Sequence, residues 1–419
     1  MEFLYSILVG SYGLFIRIAS LFVPKARAWV EGRRNWRTVI GKEQNAFEDK
    51  PIWVHVSSVG EFEQGKPVIE SLKERYPGKR IVLTFFSPSG YQLLSNYDQA
   101  DQIYYLPLDG RRSAADFLDR VKPCLAIFVK YEFWYFYFKT LHQRSIPFVL
   151  ISATLRPDQL FFKWYGSGYR RVLHFPNHYF VQDEQTQKLL LQIGKQEVTV
   201  CGDTRIDRVA EVTQENEPLP LIEKFKGEQP LLVVGSSWAK ENELMVNWYK
   251  RQPDRNLKCI IAPHEINSSK IEELRKKLPI PSIRFTEIDE KRGEWQDAPI
   301  LILDCIGILK RVYRYADFSV IGGGFIDGIH NILEPAAFGV PMMFGPNYHK
   351  FVEAVELIDR DGAFSFNQES EFINAMDAWS ESAEIRSEKG KICLDFIREN
   401  QGATAKIIEV IGQKWNELD

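Results

Sequence analysis

Residues 51–61 read PIWVHVSSVGE. From Ile52 to Val56 the residues are β-branched or aromatic apart from one histidine, and the run breaks at Ser57-Ser58 just before Gly60 and Glu61. This is the pattern of a strand that is apolar on both faces and turns directly into a helix. Such strands sit in parallel sheets covered by helices on either side. Working outward, strand-like runs at 80–85, 102–106, 124–129, 146–151, 178–182 and 197–201 alternate with amphipathic stretches at 64–75, 111–121, 134–143 and 184–193. The alternation stops at 213–228, where Pro218, Pro220 and mixed charge mark a linker. It resumes with strand runs at 230–235, 257–262, 299–303, 317–321 and 340–344, spaced by helical stretches at 239–250, 266–277, 307–315 and 351–359. The expected fold class is therefore α/β, with two doubly wound, Rossmann-like parallel-sheet domains facing a cleft. Their expected bounds are 25–212 and 229–419, with the linker at 213–228 and only helices from about residue 369.

Composition agrees with this division. At 419 residues, 45% hydrophobic and 26% charged, the chain has material for two domains of about 200 residues each. The balance of 53 Lys and Arg against 56 Asp and Glu, formally −3, argues against a general nucleic-acid binder. The first fifty residues depart from that average, with eight basic residues against five acidic ones. Residues 3–23 are apolar or small except for Arg17, and at about 1.5 Å per residue they suffice to cross a hydrocarbon layer of about 30 Å. No basic region precedes this run and no small-residue cleavage site comes after it. Residues 1–24 thus read as an uncleaved membrane anchor or an interfacial helix, with an ordinary buried helix as the third reading. The basic cluster from Lys25 to Arg37 places the rest of the chain on the cytoplasmic side by the positive-inside rule. Five scattered cysteines, Cys124, Cys201, Cys259, Cys305 and Cys393, fit buried thiols in a reducing compartment and suggest neither a disulfide framework nor a metal motif.

In doubly wound sheets, ligands bind beyond the carboxyl ends of the strands, so chemistry is expected in the residues just after each strand. The first strand is succeeded by Ser57-Ser58-Val59-Gly60-Glu61, and the fourth by Lys130-Tyr131-Glu132-Phe133-Trp134. A carboxylate at each of these junctions is either a first-turn acid interacting with the helix dipole or a general base at a cleft. In the second half, the strand at 317–321 runs into GGGFIDGIHNILEPAA at 322–337. Glycines ahead of a helix start allow backbone N–H groups to approach an anion, and Glu334 is placed to accept the hydroxyls of a ribose. Gly235-Ser236-Ser237-Trp238, Pro263-His264-Glu265 and Asp304-Cys305-Ile306-Gly307-Ile308 end other strands of the same half, which makes it the expected nucleotide domain.

The runs HVSSVGE at 55–61, KYEFW at 130–134, GDTRID at 202–207 and GGGFIDGIHNILEPAAFGVPMMFGP at 322–346 resemble the 3-deoxy-D-manno-octulosonic acid (Kdo) transferases of lipopolysaccharide synthesis. The resemblance covers nearly the whole chain, and SVGE and HNxLEPAAxGVP are its most specific parts. It implies a GT-B glycosyltransferase whose first domain takes a lipid A precursor, lipid IVA, and whose second binds the donor CMP-Kdo. The implied reaction is inverting transfer of Kdo to the 6′-hydroxyl of that lipid, with no cofactor and no metal, on the cytoplasmic face of the inner membrane. The family's general base maps onto Glu61, and its transition-state positions onto Glu132 and Arg205. Its CMP contacts map onto Pro263 and His264, onto Ile306, Gly307 and Ile308, and onto Asn331, Ile332, Leu333 and Glu334. The chain departs from the family pattern at Lys130, where the family often has Glu. It departs again at Ala262-Pro263-His264, where the family has Pro-Arg-His, and at Ile306-Gly307-Ile308, where it has Met-Gly-Glu. A soluble nucleotide-sugar epimerase of the same fold and a non-catalytic binding protein are the competing readings, and the apolar N-terminal segment favours the transferase over the epimerase.

Overall fold

The stretch that begins at Pro51 forms β1 (Ile52–Val56), a fully buried strand. The computed structural model describes residues 2–41, 50–214, 217–253, 256–289 and 293–415. Side chains of β1 divide between two faces: Trp53 packs with Phe117, Phe128 and Tyr137 on one side, while Ile52, Val54 and Val56 join Phe62, Ile69 and Leu72 on the other. A strand buried on both faces has no polar side to alternate, which is why its sequence is almost continuously apolar.

Around it stand β2 (Ile81–Phe85), β3 (Gln102–Tyr105), β4 (Leu125–Val129), β5 (Phe148–Ala153), β6 (His178–Val181) and β7 (Val198–Val200). They form one sheet in the order β3-β2-β1-β4-β5-β6-β7, and all pairings are parallel. A second seven-stranded sheet contains β8 (Leu231–Ser237), β9 (Lys258–Pro263), β10 (Ser282–Arg284), β11 (Ile300–Ile302), β12 (Phe318–Ile321), β13 (Met342–Phe344) and β14 (Ala363–Ser365). Its order is β10-β11-β9-β8-β12-β13-β14, again all parallel. The strand order reverses between β1 and β4 in the first sheet and between β8 and β12 in the second. Those are the two positions where a crevice opens beyond the strand ends.

The chain divides into two units, Met1–Arg208 with Gln401–Asp419, and Val209–Asn400. The stretch 213–228, read as a linker, includes the helix Pro220–Lys226 in the second unit, with Ile222 and Phe225 buried. Residues 215 and 216 of that stretch lie outside the described residues. The C-terminal helices are shared out: Glu369–Glu381 and Ala383–Asn400 stay with the second unit, whereas Ala403–Lys414 belongs to the first. Ile407, Ile408 and Ile411 of that last helix complete the core beneath Val59–Arg75, the helix that comes after β1. Asp207 tethers its start by accepting from the backbone N–H groups of Gly402 (2.7 Å) and Thr404 (2.6 Å).

The apolar start forms the helix Glu2–Ala19, of mean hydropathy 1.3 and long enough by composition to cross a membrane. It lies against the first unit along much of its length. Glu2 meets Arg111 (2.9 Å), the Tyr135 hydroxyl (3.0 Å) and Lys139, and the Lys139 hydrogen bond in particular draws its carboxyl down to about 2. The Tyr5 hydroxyl donates to buried Asp109 at 2.6 Å. Further along, Tyr12 packs on Trp29 and Phe86, and Gly13 sits so close to Leu108 that a Cβ there would come within 2.7 Å of its Cδ2.

Candidate active site

In the first unit, β1 hands over to its helix through Ser58, whose side chain caps the helix while Glu61 reaches back to the cap. Glu61 Oε2 accepts from the N–H groups of Ser57 (2.5 Å) and Ser58 (3.2 Å), so the capping role anticipated for this residue is realised. Its Oε1 accepts nothing from the described residues. Glu61 is only 9% exposed, and burial, with the negative charge of Glu132 added to it, lifts its carboxyl to about 8. An exposed capping glutamate is not raised in this way, because the helix N-terminus favours its charge.

Glu132 stands at the end of β4, the neighbour of β1 across the switch point. Just before it, Lys130 takes φ +64°, a left-handed conformation that a β-carbon disfavours. Glu132 Oε2 accepts from the Ser57 hydroxyl and from Trp134 Nε1 (2.8 Å), and lies 3.7 Å from His55 Nε2. Burial opposes its charge, but the His55 ring beside it and the hydrogen bonds from Ser57 and Trp134 outweigh that and hold its carboxyl below the usual range. The two carboxylates therefore share Ser57, one through its N–H and the other through its hydroxyl, and are driven in opposite directions. Such a split is how a pair of like groups is assigned different roles.

Behind Glu132 stands a supporting chain that the sequence hid. Trp134 Nε1 also donates to His55 Nε2 (3.1 Å), which leaves His55 Nδ1 to donate to the Thr84 hydroxyl (2.9 Å). His55 is wholly buried and burial lowers its affinity for a second proton, so it stands as a neutral imidazole in this tautomer. His55 and Trp134 lie inside the HVSSVGE and KYEFW motifs, but only the fold shows that they touch. Arg205, in the first turn after β7, is clamped by Asp203 through Nε (2.9 Å) and Nη2 (2.6 Å). Asp203 in turn receives Gln64 Nε2 at 3.3 Å, and Gln64 lies one turn beyond Glu61 on the same helix. The three positions expected to carry chemistry, Glu61, Glu132 and Arg205, are thus linked through Ser57 on one side and through Gln64 and Asp203 on the other.

This arrangement makes a prediction about pH. If the charged form of Glu61 is required, kcat/KM should rise with pH and level off above about 8, falling tenfold per unit below it. Glu132→Gln removes a negative neighbour, lowers the Glu61 carboxyl and should move that limb to lower pH. A pH–rate profile of the variant whose limb does not move would refute the coupling.

In the second unit, Ser236, Lys310, Tyr313, His330, Asn331 and Glu334 are among the residues lining a cavity of about 500 Å³, as is Gly307. That size suits a small-molecule ligand. Asn331 Nδ2 donates to Glu334 Oε1 at 3.1 Å, which orients the carboxylate. Trp238, His264 and His330 form a stack beside it, with ring centroids 4.4 Å apart between Trp238 and His264 and 4.4 Å between His264 and His330. Trp238 Nε1 donates to His330 Nε2 at 3.0 Å. Of the nine expected donor-site positions, Gly307, Asn331 and Glu334 line the cavity, and His264 reaches it through His330. Pro263 instead faces a separate groove between the helices Ala239–Arg251 and Ser268–Lys277. Ile306 is 89% exposed, Ile308 is half-buried next to Gly307, and the side chains of Ile332 and Leu333 are buried, so only the backbone of these last two could meet a ligand.

The triple glycine serves a different purpose from the anion cradle its composition suggested. A Cβ on Gly322 would lie 2.1 Å from the Ser236 carbonyl oxygen, and Gly323 has φ +92°. Their N–H groups already donate to the Gly235 carbonyl (2.9 Å) and to Glu241 Oε1 (3.0 Å). These glycines let β12 close against β8, and the buried Glu241, whose other oxygen accepts from Trp238 N (3.1 Å), pins the two strand ends together.

Comparison with known proteins points the same way. Residues 33–208 match the family model of the 3-deoxy-D-manno-octulosonic-acid transferase (kdotransferase). Over 331 residues, 78% of this chain and 84% of the relative, the sequence is 28% identical to the 3-deoxy-D-manno-octulosonic acid transferase of Aquifex aeolicus. Over 376 residues, 86% of each chain, it is 26% identical to that of Haemophilus influenzae. Over residues 33–208, and through its relatives over most of its length, the chain is similar to the Kdo transferases. It is accordingly a glycosyltransferase. Among solved structures, the UDP-GlcNAc 2-epimerase of Neisseria meningitidis superposes with a TM-score of 0.60 at 15% identity, covering 87% of this chain and all of the other. That likeness shows the shared two-sheet, GT-B-like fold; by itself the fold does not separate transferase from epimerase.

Proposed function

We propose that this protein is a Kdo transferase that moves Kdo from CMP-Kdo to the 6′-hydroxyl of a lipid A precursor, lipid IVA, at the cytoplasmic face of the inner membrane. The observation that carries the mechanism is the carboxylate pair that shares Ser57, with Glu61 raised and Glu132 lowered. Glu61 Oε1 takes the proton of the acceptor hydroxyl as its oxygen attacks the anomeric carbon of Kdo. The new C–O bond forms on the face opposite the departing group, inverting the centre, and the electron pair of the breaking bond leaves on the phosphate oxygen of CMP. Glu132 supplies negative charge to the oxocarbenium-like centre, and Arg205, preset by Asp203, meets the sugar carboxylate or the departing phosphate. CMP is a good leaving group, so this set of charges does without a metal. In the second unit Glu334 accepts the ribose hydroxyls, while the stack of Trp238, His264 and His330 borders the nucleotide. The apolar helix Glu2–Ala19 gives the enzyme its hold on the membrane that contains the acceptor.

The test mixes the full-length protein with CMP-Kdo and lipid IVA and monitors CMP release in the presence of a chelator. Release that needs the lipid and ignores the chelator is expected. Release without lipid would make the protein a hydrolase or an epimerase-like enzyme, and a chelator effect would remove the metal-free mechanism.

A further inference from the structure

Behind the N-terminal helix lies a cavity of about 980 Å³, bounded by Glu2–Ala19, by the helix Pro24–Gly32 and by the loop at 107–113. Among the described residues its lining holds seven arginines and only two carboxylates, Glu31 and Asp109. Asp109 is already committed, accepting from the Tyr5 hydroxyl and from the N–H groups of Phe136 and Tyr137. Three of the arginines are occupied. Arg33 donates to the carbonyls of Trp29, Phe86 and Leu106, while Arg37 pairs with Asp116 and Arg111 with Glu2. The guanidinium groups of Arg17, Arg34 and Arg112 have no hydrogen-bond or ion-pair partner among the described residues, and that of Arg27 finds only carbonyl oxygens. A concave site with this surplus of guanidinium is built for a multiply charged oxyanion, and phosphate is the group that guanidinium forks bind best.

The position of the cavity says whose phosphate it takes. Arg33 lies over Phe86 (4.8 Å), Phe86 packs on Trp134 (4.7 Å), and Trp134 donates to Glu132. Two aromatic rings thus separate the arginine cavity from the carboxylate pair. On the other side, the helix turns its apolar surface outward, with Phe3 80%, Leu14 58% and Phe15 69% exposed. Its contacts through Glu2, Tyr5, Tyr12 and Gly13 all fall on one unit, so crossing the bilayer would drag Glu2 and its cationic partners into hydrocarbon. A helix held against its unit in this way, with an apolar outer face, suits the surface of a membrane better than a crossing, and the cavity lies directly behind it.

We propose that this cavity binds a phosphate group of the acceptor lipid's sugar headgroup and so sets the acceptor's hydroxyl against Glu61. The proposal rests on the lipid-acceptor reading of the function, but it is tested by binding alone. Neutral phosphatidylcholine vesicles are doped with lipid IVA, with dephosphorylated lipid IVA, or with phosphatidylglycerol at matched charge, and flotation of the full-length protein is measured. Lipid IVA vesicles should bind at least tenfold more tightly than either of the others. Arg17→Gln/Arg34→Gln should erase that preference, and Arg17→Lys/Arg34→Lys should restore part of it. Both residues are exposed, so neither substitution disturbs the core. Equal binding to lipid IVA and to its dephosphorylated form would overturn the proposal, and so would equal binding to phosphatidylglycerol, which would reduce the cavity to a general attraction for anionic surface. Absence of CMP release in the transfer assay would sink the proposed reaction and leave this binding result standing.

Discussion

Glu61→Gln should lower kcat by about 10³-fold and leave the KM values for both substrates within about threefold, the signature of a lost proton acceptor. Glutamine has the same shape and can still accept from the N–H groups of Ser57 and Ser58 through its amide oxygen, so the start of the helix Val59–Arg75 survives. What disappears is the capacity to hold a proton, and a factor of 10³ corresponds to about 4 kcal/mol of barrier. Steady-state CMP release decides the matter. A kcat within tenfold of the wild type would assign Glu61 to helix capping and nothing more.

The second large effect belongs to the other unit. Glu334→Ala should raise the KM for CMP-Kdo by about 30- to 100-fold while changing kcat little. A hydrogen bond to a charged group contributes about 1.5–3 kcal/mol, water recovers part of what two such bonds lose, and each 1.4 kcal/mol is tenfold in affinity. Asn331 loses its partner in the same substitution, which adds to the loss of order in the cavity. Glu334→Gln, which keeps one acceptor, should fall between the two. An unchanged KM would mean that the ribose sits elsewhere in the unit.

Much of the architecture is legible in the sequence. All twelve expected strands are present, most of them because they are runs of buried apolar residues rich in β-branched and aromatic side chains. The two that the pattern does not reveal, β10 and β14, are three-residue edge strands, Ser-Ile-Arg and Ala-Phe-Ser, too short to make a run and half solvated. Glu61 and Glu132 are visible as acids at strand ends. What sets them apart from ordinary first-turn acids is contact between residues 57, 61 and 132, and chain separation hides such contact. The glycine run misleads for a related reason: glycine marks close approach of backbone, and sequence alone does not say whether the approaching partner is a phosphate or another strand. The N-terminal segment is ambiguous because length and hydropathy are the same for a helix that crosses a bilayer and one that lies on it; the contacts of Glu2, Tyr5 and Gly13 with the first unit are invisible in the sequence.

One topological detail bears on how the enzyme comes into being. The helix Val59–Arg75, which begins with Glu61, is backed by Ile407, Ile408 and Ile411. The ribosome delivers those three residues only after the whole of the second unit has been made. Domains usually fold as they emerge, the first before the second. Here the order is reversed at its last step: the second unit has all its own strands available while the wall behind Glu61 is still missing. The packing that backs Glu61 is therefore among the last parts of the fold to be completed as the chain is made.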